Sequence, residues 1–207
     1  MKLRSDSFEP GQPIPPEFAL GARDGEGGFG GNRNPHLAWS DVPDGTRAFA
    51  LLCIDTDAPT DPALVANGEV DIPVDHPRGD FVHWAVADIP AEVREIAAGS
   101  CSDGVTRGGK GIGHDAGGQR GLNDYTGWFA GDATGMRGDW YGYDGPYPPP
   151  HDARTHRYFF RVFALDAPLE LPAGFTAADV QRAMHGHVLA EAATYGTYSL
   201  HDSMGAA

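Results

Sequence analysis

Three stretches of the chain carry strand-like hydrophobic patterns. Ala48-Phe49-Ala50-Leu51-Leu52-Cys53-Ile54 is an unbroken apolar run that ends at Asp55, the pattern of a strand buried on both faces. Phe81 to Ile89 predicts a second strand, closed by Pro90, and His156 to Leu165 a third, rich in aromatic and β-branched residues. His36-Leu37-Ala38-Trp39 reads as a shorter strand, followed by a turn at Val42-Pro43-Asp44-Gly45-Thr46. One helix is expected near the end: Thr176 caps it, Asp179 follows three residues on, and Val180, Met184, Val188 and Ala192 recur at near-helical spacing. Residues 104–138, about a third of them glycine, read as an inserted, ordered functional loop or lid, because plain connectors of that length are uncommon. The best strands are spread along the chain and must pair across it, so residues 1–207 read as one domain.

Composition sharpens this picture. With 29 glycines and 17 prolines among 207 residues, a mainly β fold with many turns and a few peripheral helices is favoured over a helical one. The formal charge of −14, with Lys2 and Lys110 the only lysines, argues against nucleic acid or an anionic membrane as partner. No stretch is apolar for long enough to cross a bilayer, and the opening Met1-Lys2-Leu3-Arg4-Ser5-Asp6 is not an apolar leader, so a cytoplasmic protein is expected. Cys53 and Cys101 show no metal-ligand spacing and suggest no disulfide framework.

Three constellations carry candidate chemistry. Asp55-Thr56-Asp57-Ala58-Pro59 ends the buried strand, where acids at i and i+2 share a face of an extended chain and need a compensating partner. A cis bond at Ala58-Pro59 is expected to fix a kink there. His83, in Phe81-Val82-His83-Trp84, is an imidazole within an apolar strand; taken alone, such a residue is more often a hydrogen-bonded core histidine than a ligand contact. Gly145-Pro146 leads through prolines to His156-Arg157-Tyr158, where His156 and Tyr158 share one strand face and Gly145 offers a bare amide. Phe81, Trp84, Trp140 and Tyr143 are candidate apolar walls.

Taken in order, Asp-x-Asp-Ala-Pro, His-Trp, and Gly-Pro followed by His-Arg-Tyr resemble the phosphatidylethanolamine-binding protein family, and within it the bacterial Raf-kinase-inhibitor-like branch. Phe8-x-x-Gly11-x-x-Ile14-Pro15, Asn34-Pro35-His36-Leu37-Ala38-Trp39 and the ending around Gly196-Thr197-Tyr198 extend the resemblance nearly from end to end. It implies a β-sandwich of antiparallel sheets with a pocket at the sheet's end, built here from Asp55, Asp57, Phe81, His83, Gly145, His156 and Tyr158. It also implies a small anionic ligand such as phosphate, a phosphoethanolamine-like head group or a carboxylate, with no cofactor or metal, and it admits a homodimer and a regulated protein partner. Thr56 stands where the family commonly has proline, and the connector from Pro59 to His83 and the glycine-rich stretch are enlarged, which bears on ligand preference.

Rival readings are weaker. A metal-dependent phosphoester hydrolase would need close ligand pairs that these residues lack, and no serine sits in a nucleophile elbow. A cupin-like centre at His185-Gly186-His187 with Glu191 conflicts with the helical pattern there, which points the two imidazoles apart. An inhibitor-like interaction module, served by the enlarged loops, is the main alternative to a plain binding protein.

Overall fold

The computed structural model describes residues 1–202. Its elements in chain order are β1 (Lys2–Arg4), β2 (Leu37–Ser40), β3 (Ala48–Pro59), α1 (Pro62–Ala66), β4 (Arg78–Pro90), β5 (Glu95–Ile96), β6 (His114–Asp115), β7 (Gly118–Arg120), α2 (Tyr125–Trp128), β8 (His156–Leu165), α3 (Ala177–Ala183) and β9 (Val188–Tyr198). They form a six-stranded antiparallel sheet in the order β6-β7-β4-β3-β8-β9 and a smaller sheet in the order β1-β2-β5.

The apolar run 48–54 lies at the centre of the large sheet, between β4 and β8, and like them it sends alternate side chains into cores on both faces. Phe49, Leu51 and Cys53 join Leu37, Trp39 and Ile96 of the small sheet in the main core, with Trp84, Phe160 and Val162. Ala50, Leu52 and Ile54 pack on the opposite side with Phe175 and with Val180 of α3. The sheet is therefore covered on both faces, and the candidate residues collect at one end of it.

Two expectations are corrected. The terminal helix stops at Ala183, and residues 188–198 are a strand. Thr176 and Asp179 do form a reciprocal capping box, but Gly186 at φ 85° breaks the helical path. The run from Val188 to Tyr198 then finds its partner in β8, and tertiary pairing overrides the local period. No cis peptide bond occurs among the described residues, so Ala58-Pro59 is trans and β3 continues through it. The stretch 104–138 holds two short strands and α2, with Asp115, Asn123, Tyr125 and Met136 buried.

Candidate functional site

Asp55 lies between Phe81 of β4 and Tyr158 of β8, its cross-strand neighbours. His83 reaches the same place by an irregularity: Cys53 pairs with Trp84 and Ile54 with Val82, so His83 is left as the extra residue of a bulge. Such a bulge re-aims a side chain, and here it brings His83 beside Phe81 and Tyr158, with ring centroids about 5.1 Å from each. Asp55, Phe81, His83, His156 and Tyr158 line one cavity of about 200 Å³. Tyr125 and Trp128 of α2, Tyr147 and the prolines 59, 62, 148 and 149 complete its walls.

The floor is polar. His83 Nδ1 donates to the carbonyl of Asp144 at 2.8 Å, which leaves Nε2 without a hydrogen-bond partner among the described residues. Burial lowers the His83 pKa, against the pull of the nearby Asp55 carboxylate, so the ring rests neutral with an open Nε2. The Tyr158 hydroxyl is buried and makes no hydrogen bond of good geometry among the described residues; burial first, and then the Asp55 carboxylate close beside it, raise its pKa well above the usual phenol value. It is therefore a standing O–H donor.

His156 is different. Its Nδ1 lies 2.7 Å from Oδ2 of Asp55 and its Nε2 3.0 Å from Oδ2 of Asp152, so both ring nitrogens serve as donors to carboxylates. Burial opposes its charge, but the hydrogen bonds and charges of Asp152 and Asp55 outweigh that and push the pKa up to about 9. Asp152 is in turn gripped by Arg78 through both oxygens, at 2.5 and 3.0 Å. Burial would raise its pKa, yet His156 and Arg78 hold it down to about 2. Asp55 thus reaches the cavity as a neutralised carboxylate. Unneutralised, it would repel an anion 4 Å away by roughly 4 kcal/mol at an effective dielectric near 20.

Two sequence candidates sit elsewhere. The register irregularity between Asp55 and Ala58 turns Asp57 out of the cavity. Its carboxylate accepts from the backbone N–H and guanidinium of Arg157 and pairs with Arg154 at 2.7 Å. Burial raises the Asp57 pKa less than these partners lower it. Gly145 does not offer its amide to the cavity: that N–H donates to Asn32 Oδ1, and its carbonyl accepts from the Tyr125 hydroxyl. A side chain at 145 would place its Cβ 2.1 Å from the carbonyl oxygen of Phe18, so the glycine serves close packing. Trp84, Trp140 and Tyr143 are core residues and do not line the cavity.

Sequence reasoning missed Tyr125, Trp128, Tyr147, Asp152 and Arg78. The signal for the first two was aromatic residues in a glycine-rich stretch, and for Asp152 an acid four residues before His156. Asp144 was also missed. Buried beneath His83, it accepts from Asn32, Asn123 and Lys110, tying residues of the glycine-rich stretch to the pocket base. Among the described residues, no group of three or more His, Cys, Asp or Glu is arranged to hold a metal ion.

Comparison with known proteins adds to this geometry. The model of the phosphatidylethanolamine-binding protein family matches residues 4–199. The chain belongs to this family. A UPF0098 protein of Aquifex aeolicus is 33% identical over 96% of this chain and 88% of its own length. The UPF0098 protein YbhB of Escherichia coli is 31% identical, covering 96% of this chain and all of its own. The crystal structure of E. coli YbcL, described as a new member of the mammalian family, superposes with a TM-score of 0.67 at 26% identity over 96% of this chain and 97% of its own. The antiparallel architecture of this family member is thus shared with its relatives. No helix among its described residues is long and apolar enough to cross a membrane.

Proposed function

We propose that this protein binds, without transforming, a small molecule bearing a phosphoryl or carboxylate head and an apolar body. The reading is carried by the buried Tyr158 hydroxyl, which makes no well-formed hydrogen bond among the described residues, beside the open Nε2 of His83 in one cavity. A buried donor without a partner is costly, and an oxyanion that fills the cavity satisfies it. A phosphomonoester monoanion, which carries one P–OH, matches both groups: it accepts from Tyr158 and donates to His83 Nε2. The rim of Phe81, Trp128, Tyr147, Pro62, Pro148 and Val65 suits an apolar body and gives an inorganic ion little to touch.

Trp128, half exposed at the mouth, favours a second reading in which the rim also meets a protein partner whose binding the small ligand adjusts. The free thiols of Cys53 and Cys101 fit a reducing compartment such as the cytoplasm.

Calorimetric titration with inorganic phosphate and with phenyl phosphate tests the reading. Both are expected to bind, phenyl phosphate more tightly by roughly tenfold, about 1.4 kcal/mol, and Trp128→Ala to erase most of that difference. Absence of heat with both ligands would remove the reading.

A further inference from the structure

The cation nearest the cavity floor, His156, has no free N–H to give a ligand, and the reason lies outside the cavity. We propose that Asp152, anchored by Arg78, is a positioning residue of this pocket: by holding Nε2 of His156 it keeps Nδ1 on Asp55, so that the floor presents a neutralised carboxylate and leaves His83 and Tyr158 to meet the ligand. This rests on the oxyanion reading above.

Neither Asp152 nor Arg78 lines the cavity, so both act through His156. The Asp152 side chain is fully buried and the Arg78 side chain nearly so. Asp152 also accepts from the backbone N–H of Arg154, which fixes its orientation. Arg78 donates further to the carbonyls of Asp57, Pro73 and His76, binding the enlarged connector to the pocket wall. An imidazole with one carboxylate partner is satisfied neutral, with a single N–H. With carboxylates at both nitrogens, only the doubly protonated ring satisfies both.

Among the described residues, the two carboxylates are the charged groups hydrogen-bonded to His156; its cross-strand neighbour Tyr198 gives its hydroxyl to the Gly21 carbonyl. Asp55 faces it from β3 and Asp152 from the loop before β8, while the Tyr158 ring stacks 6.4 Å away on its own strand. His83 of β4 lies beyond Tyr158 and is held by Asp144. Arg154 and Arg157 are engaged by Asp57, and Arg78 reaches His156 only through Asp152.

The test follows the His156 imidazole resonances by NMR through a pH titration, alongside calorimetry with inorganic phosphate, in the parent protein, Asp152→Asn and Arg78→Lys. In Asp152→Asn, His156 is expected to titrate back toward the ordinary value of about 6.5. Phosphate affinity should then match the parent near pH ~6 and fall at least about tenfold below it near pH ~8. Arg78→Lys should move both readouts in the same direction by less. A parent-like affinity profile in Asp152→Asn, or a loss equal at every pH, overturns the positioning role. If the parent binds no phosphate, the oxyanion reading fails, and the titration decides alone: an unmoved His156 overturns the role of Asp152, and a lowered one upholds it.

Discussion

Asp55 on β3 and His156 on β8 meet 2.7 Å apart, the acid ending the apolar run of the central strand and the imidazole opening its neighbour. Their sequence separation of 101 residues is bridged by the antiparallel register of the two strands, which pairs Asp55 with Tyr158. The ion pair is thus fixed by sheet topology and tightened by Asp152 from the far side.

Stability should depend on this pair with a defined sign. The folded-state pKa of His156, about 9, lies above the ordinary imidazole value of about 6.5. Its contribution is therefore whole below pH ~6.5 and is lost as pH rises through about 9. Asp152 runs the other way: held at about 2, its contribution is present above pH ~4 and is lost as pH falls through about 2. Thermal melts across pH should show an alkaline decline that His156→Gln flattens. A melting temperature that stays level through about pH 9 in the parent would contradict the pairing.

Asp57 and Asp55 should separate stability from binding. Asp57 spends its carboxylate on Arg157 and Arg154 away from the cavity. Asp57→Asn should cost roughly 1–3 kcal/mol in urea denaturation and leave phosphate affinity within about twofold of the parent. Asp55→Asn should change affinity and its pH dependence. Equal affinity losses in the two variants would place Asp57 at the ligand.

Gly145→Ala is expected to destabilise by roughly 3 kcal/mol, because the new methyl would collide with the Phe18 carbonyl, a backbone atom with little room to yield. Chemical denaturation reads this directly. An alanine variant of parental stability that bound phosphate weakly would return Gly145 to the ligand.

Much of this was legible in the sequence. The buried strand at 48–54, the strands from Phe81 and His156, and the cap at Thr176 each follow from local pattern. The roles of Asp57 and Gly145 were not, because the first depends on a register irregularity and the second on a contact with Phe18 across 127 residues. Period alone also misplaced residues 188–198, whose pairing with β8 sets their conformation. The clamp on His156 was hidden for a further reason: Arg78 and Asp152 are 74 residues apart and neither carries a motif.

The most direct measurement is a crystal structure of the protein soaked with phenyl phosphate. The phosphoryl group is expected on the cavity floor, within hydrogen-bond distance of the Tyr158 hydroxyl and His83 Nε2, with the ring against Trp128 and His156 still held between Asp55 and Asp152. Tyr158→Phe should then weaken binding by about 1.5–3 kcal/mol, roughly ten- to a hundredfold. A phosphoryl group seated on the Gly145 amide or on His156, with Tyr158 still without a partner, would contradict the assignment.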